Sequence, residues 1–127
     1  MSDDINPPDL SHPVAQLSGT RWRLSEIRDA TGVRAISDGV EASLRLEDDH
    51  AEVEAGCNRG RASVTLEPDA LDFGPLALTR MACGPEAMDV EAAVTGVLGG
   101  RVPYELQGRV LVLTGAASTL VYRADLA

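Results

Sequence analysis

From Thr20 to Tyr122 the chain is a succession of short runs in which apolar and polar residues alternate, each ended by glycine, proline or acidic turn residues. Successive side chains of a strand point to opposite faces, so this period of two describes strands with one face buried and one wet. Trp22 and Leu24 open the series, and Ile27 falls out of phase, as a β-bulge would place it. Asp29-Ala30-Thr31-Gly32 reads as a turn. Leu44 and Leu46 share one face of residues 42–47, and Asp48-Asp49-His50 turns the chain. Ala51, Val53 and Ala55 then alternate with Glu52 and Glu54. After an interruption from Gly56 to Gly60 the pattern resumes at Ala62, Val64 and Leu66, and Glu67-Pro68-Asp69 ends it. Leu71 and Phe73 make a short strand that stops at Gly74-Pro75, and residues 76–81 are extended. Residues 102–106, 109–113 and 119–122 are the closing strands, with Gln107-Gly108 and Gly115 marking tight turns.

One segment follows a different period. Pro85 suits a first helical position, and Glu86, Asp89 and Glu91 place negative charge near the positive end of the helix dipole. Val90, Val94, Val97 and Leu98 recur at helical spacing, and Gly99-Gly100 supplies a stop, so the spacing predicts a helix over 85–98. The expected fold is mainly β: a small antiparallel β-barrel-like or strongly curled sheet of about eight strands with one α-helix packed against it. Residues 1–16, with Pro7, Pro8 and Pro13, are expected to be a disordered or loosely attached segment, and 17–127 one domain.

Composition narrows the function. Aromatic residues make up 3% of the chain, so Trp22, Phe73, Tyr104 and Tyr122 are expected to anchor a core otherwise built from Leu, Val and Ala. The net charge is -9, and every basic residue is arginine. That balance, without a concentrated basic face, argues against nucleic acid and against an anionic membrane surface. No apolar run reaches the length of a membrane span. The start, Met1 to Leu17, lacks the basic and apolar parts of an export signal and a lipidated cysteine, so the sequence as written is expected to be cytoplasmic. A start lying upstream would make it an envelope or secreted protein. A monomer without cofactor is expected.

Gly56-Cys57-Asn58, then Leu71-Asp72-Phe73-Gly74, then Thr79-Arg80-Met81-Ala82-Cys83, then Glu91 in a helix, then Tyr104 and Leu111-Val112-Leu113 follow one another in this order. With the opening Leu17-x-Gly19-x-x-Trp22-x-Leu24, this series resembles the META domain, or HslJ-like, family over roughly residues 17 to 123. The resemblance implies a small antiparallel β-barrel-like domain with a helix and an undefined molecular activity. It further implies a loose association with stress response and heat shock in bacteria, or with secretion or motility, often behind an export signal. It brings no catalytic residue. The residues it marks as structural are Gly19, Trp22, Gly56, Cys57, Asn58, Thr79, Arg80, Met81, Cys83, Glu91, Leu111 and Leu113.

Three readings of Cys57 and Cys83 stand side by side: two packed thiols, a structural disulfide, or a redox-sensing pair. A reducing cytosol favours the packed thiols. Their separation, with no nearby histidine, does not suit zinc. Asn58, between Cys57 and Gly60, reads as a turn residue before it reads as a ligand contact. Arg59, Arg61 and Arg80 would form an anion site if gathered; pairing with local acids is the favoured reading, and Arg80 with Glu91 is the expected pair. His12 and His50 have no nucleophile at a suggestive spacing, and Glu47-Asp48-Asp49 lacks the alternation of a calcium loop. The sequence therefore supports a non-enzymatic binding or accessory domain. Its apolar interior, or the cleft between sheet and helix, would take a small apolar ligand or a partner segment. A redox-responsive protein using Cys57 and Cys83, and an interaction module working through an exposed strand edge, are the alternatives.

Overall fold

A computed structural model of the chain describes residues 17–125. The described strands are β1 (Arg21–Asp29), β2 (Gly32–Ala35), β3 (Glu41–Leu46), β4 (His50–Gly56), β5 (Asn58–Leu66), β6 (Ala70–Phe73), β7 (Ala77–Leu78), β8 (Gly100–Gln107), β9 (Val110–Thr114) and β10 (Ser118–Ala124). One helix, α1 (Pro85–Val97), lies wholly within the described residues. The expected disordered segment, 1–16, and His12 fall outside them.

Eight antiparallel strands close into a barrel in the order β1-β3-β4-β5-β6-β8-β9-β10, and β10 returns to β1 from Trp22↔Ala124 to Asp29↔Ser118. Among the described residues, closure leaves no long strand edge for another chain to pair with. The register slips between Leu24 and Glu26, so Ser25 is the bulge that puts Ile27 back among the inward residues. Two short strands lie beside the closed path. β2 pairs with the second half of β1, whose first half pairs with β3. β7 pairs with β5 at Gly60 and Arg61, whereas β6 pairs with β5 further on, at Val64 to Leu66. The sheet therefore splits above Phe73, where β6 ends.

The barrel interior is a packed core. Trp22, Leu24, Leu44, Val53, Leu113 and Tyr122 belong to one continuous buried cluster. All four aromatics are buried, as their scarcity led one to expect. The small-ligand expectation therefore loses the apolar interior and keeps only the cleft between sheet and helix. At one end of the barrel, Gly19 N–H donates to the Leu46 carbonyl at 2.8 Å and the Trp22 indole N–H to the Leu17 carbonyl at 3.3 Å.

Helix α1 covers the other end. Val90, Val94 and Val97 are buried, and so is Leu98 just beyond. A helix of this length is marginal in water on its own. Burying four aliphatic side chains, at about 1.5–3 kcal/mol each, is what holds it. Gly84 at its start offers no side-chain cap, and Pro85 takes the first turn as expected. The β1–β2 hairpin reaches over to the helix: Arg34 meets Asp89 at 3.2 Å, and the Ser37 hydroxyl donates to Glu86.

Candidate functional site

The residues of the two cysteine motifs come together where α1, β7 and the β4–β5 hairpin meet. Ala55 pairs with Asn58, so the hairpin turns through Gly56 and Cys57 alone. Gly56 takes φ 72°, and a Cβ there would run into the Ala87 carbonyl oxygen of α1. Only glycine meets both demands, the positive φ and the close helix. Gly60 is needed for a second reason, because a Cβ would strike the Ala77 carbonyl oxygen of β7.

Asn58 is not the turn residue that its neighbourhood suggests. It is the first residue of β5 and is 1% exposed. Its side-chain oxygen accepts from the Met81 N–H at 2.7 Å and from the Thr79 hydroxyl at 2.8 Å. Its side-chain nitrogen donates to the Met81 carbonyl at 2.9 Å and to Glu91 Oε1 at 2.6 Å. Every donor and acceptor of the amide is thus used. The expected Arg80–Glu91 pair does not form; Glu91 Oε1 accepts from the buried Asn58 amide, and Arg80 stays exposed, with no ion pair among the described residues. Met81 is likewise exposed, at 56%; its backbone does the holding.

Cys57 and Cys83 are joined by a disulfide, with their Cα atoms 6.4 Å apart, inside the span such a bond requires. Neither is deeply buried. The favoured reading of two packed thiols gives way to a bond that ties the hairpin turn to the start of α1.

The arginines do not gather as one anion site. Arg59 and Arg61 lie with Arg21, Arg45, Glu52 and Glu54 around a shallow hollow on the outer face of β3–β5, where Glu54 and Glu52 stand directly across from them. Arg21 is bound to Asp125 at 2.6 Å and to Glu54 at 3.2 Å, which raises its pKa against the cost of burial. Arg80 lines a different hollow. His50 lies at the start of β4, the far end from Cys57, with Nδ1 3.1 Å from Asp49 and Nε2 3.6 Å from Glu52. The hydrogen bond from His50 draws the Asp49 carboxyl below its usual pKa. Among the described residues no group of three or more His, Cys, Asp or Glu side chains is placed to hold a metal ion. No described helix is long and apolar enough to cross a membrane.

The hollow that Arg80 lines is the cleft between sheet and helix, about 580 Å³ in volume. Leu76, Leu78 and Arg80 form one wall, at alternate positions of the β7 segment. Thr95, Leu98, Gly99 and Gly100 form the opposite wall, Phe73 and Pro75 lie where the sheet splits, and Glu91 of α1 also lines the hollow. No motif pointed to Leu76, Leu78 or Thr95 as cleft residues; the alternation of Leu76, Leu78 and Arg80 was the available signal.

The META domain family model matches residues 15–126 of the chain. An NMR structure of a protein from Burkholderia xenovorans is similar, with 28% sequence identity, a TM-score of 0.73, and coverage of 100% of this chain and 97% of that one. A second NMR structure, 22% identical, has a TM-score of 0.71 and covers 87% of this chain and 92% of its own, a likeness of fold alone. No curated protein matches the chain.

Proposed function

We propose that this chain, which belongs to the META domain family, is a non-enzymatic binding domain that takes its ligand in the cleft between α1 and the β7 segment, as an accessory module in a stress response. The observation that carries the reading is the make-up of that cleft. Its volume is in the range of small-molecule and peptide sites. Its walls offer apolar surface from Phe73, Leu76, Leu78 and Leu98, and one cation, Arg80, has no partner among the described residues. The Asn58 clamp and the disulfide hold β7 and α1 at a fixed separation, so little ordering cost falls on binding.

The test uses 1-anilinonaphthalene-8-sulfonate, an apolar ring system with one anionic group, and amide chemical shifts. Titration is expected to move Leu76, Leu78, Arg80 and Leu98. A Cβ at Gly99 would meet nothing within 4 Å, so the backbone there accepts a side chain, and Gly99→Phe is expected to obstruct the cleft. That variant is expected to lose the shifts. A dye that leaves the cleft residues unmoved, or one indifferent to Gly99→Phe, refutes the reading.

The position of the disulfide favours a second reading, a redox-responsive protein. A cellular dithiol would pass two electrons and two protons to the Cys57–Cys83 bond, giving two thiols here and a disulfide on the donor. Hydrogen exchange with and without such a dithiol tests it. Unchanged protection of residues 79–84 after reduction would end this reading.

A further inference from the structure

β7 is an edge strand. It pairs with β5 through Ala77 and Leu78, and the Thr79 N–H donates to the Arg59 carbonyl at 3.0 Å. In an antiparallel ladder the backbone groups of alternate residues face opposite edges. The N–H and carbonyl of Leu78, between Ala77 and Thr79, therefore face away from β5. Neither has a hydrogen-bond partner among the described residues. Barrel closure has covered the long edges, but it leaves this short one open beside the cleft.

From this geometry we infer that the cleft takes an extended peptide, added as a strand to the free edge of β7, with an acidic side chain of the peptide against Arg80. The inference rests on the binding role proposed above and names its ligand class. Four features select this occupant. An unpaired edge gives a strand backbone hydrogen bonds that a small apolar molecule cannot use. The facing wall carries Gly99 and Gly100, with no side chains to keep a second backbone away. Arg80 makes no ion pair or hydrogen bond among the described residues, while Glu91 Oε1 accepts from Asn58, so the guanidinium donors are open to an acidic side chain. Leu76 and Leu78 are half-buried and continue into the core cluster, offering apolar contact to alternate side chains of the incoming strand.

The experiment titrates the whole protein with a capped peptide of about five residues, alternating valine and threonine around one glutamate, a length that covers the edge. Amide shifts and hydrogen exchange are the readouts. The Leu78 amide is expected to move downfield and gain protection. A version with N-methylated amides on the pairing edge is expected to bind at least about tenfold more weakly, and so is a version with lysine in place of glutamate. Arg80→Glu is expected to reverse the preference between glutamate and lysine while leaving the fold unchanged, because Arg80 is exposed and makes no hydrogen bond or ion pair among the described residues. An unmoved Leu78 amide, or equal binding of the N-methylated peptide, overturns strand addition. If the naphthalene dye still occupies the cleft in that case, the cleft reading stands and the peptide alone is refuted. If neither probe moves the cleft residues, both fall.

Discussion

The side-chain amide of Asn58 pairs with the backbone of Met81 as another strand would, accepting from its N–H at 2.7 Å and donating to its carbonyl at 2.9 Å. One buried side chain thereby docks an irregular segment, 79–83, onto the barrel rim and reaches Glu91 on the helix behind it. Asn58→Ala would leave the Met81 N–H and the Glu91 carboxylate without partners in a poorly solvated place. At about 1–3 kcal/mol for each abandoned group, and with partial rescue by water, a loss of about 2–4 kcal/mol is expected in denaturant unfolding. Asn58→Asp keeps the shape but sets a second carboxylate against Glu91. It is expected to destabilise the domain near neutral pH and to recover part of the loss as pH falls and one carboxyl takes a proton. Equal stability of wild type and Asn58→Ala would show that the clamp contributes nothing.

The Cys57–Cys83 bond spans 26 residues of sequence and encloses β5, β6 and β7. The chain-entropy estimate for such a loop is about 3.5 kcal/mol. Replacing both cysteines with serine is expected to lower stability by up to about that amount while leaving the barrel strands protected from exchange, because the core lies elsewhere. Thiol titration of the denatured, unreduced protein is expected to find no free thiol. Two free thiols in protein prepared under oxidising conditions would contradict the bond.

What was legible in the sequence was what local alternation records. The out-of-phase Ile27 marked the bulge at Ser25, and Val90, Val94 and Val97 marked the buried face of the helix. Strand β2 was missed because Gly32, Val33 and Ala35 are exposed and Arg34 turns to Asp29 and Asp89, so no buried face imposes a period. The splitting of β5 between β6 and β7 was missed because pairing partners far apart in sequence leave no local trace. Asn58 was misread for a related reason. Its neighbours Gly56 and Cys57 make the whole turn, which moves Asn58 one place into the strand and sends its side chain to the rim. The Arg80–Glu91 expectation failed there too, since charge complementarity in a sequence says nothing about which groups the fold brings together.

Tyr122 is wholly buried, and its hydroxyl has no hydrogen-bond partner among the described residues. Burial pushes its pKa far above the ordinary phenol value. A desolvated, unpaired hydroxyl costs free energy that the ring's packing must offset. Tyr122→Phe keeps the ring and removes the orphan. It is expected to stabilise the domain by about 1 kcal/mol, visible as a higher denaturant midpoint with unchanged slope. A loss of more than about 1 kcal/mol would show that the hydroxyl is bonded after all, for instance to an internal water.

Asp29 ends β1, and its carboxylate accepts from the Thr31 hydroxyl at 2.6 Å, the Thr31 N–H at 2.9 Å and Arg34 at 2.7 Å. These contacts, the Thr31 hydroxyl first and Arg34 next, lower its pKa from 3.8 to about 2. A carboxyl whose pKa is lower folded than unfolded binds fewer protons in the folded state, so it adds stability above the unfolded value. That contribution fades as pH falls through the folded one. The difference in melting temperature between wild type and Asp29→Asn is therefore expected to be full above about pH 4 and to close as pH approaches about 2. Carboxyl-carbon NMR of wild type should show the Asp29 midpoint near the lower value. Thr31→Val and Arg34→Met should each raise that midpoint. Arg34→Met should also loosen the hairpin from α1 by removing the contact with Asp89. An Asp29 midpoint near the ordinary carboxyl value in wild type would show that the Thr31 and Arg34 contacts are not populated in solution.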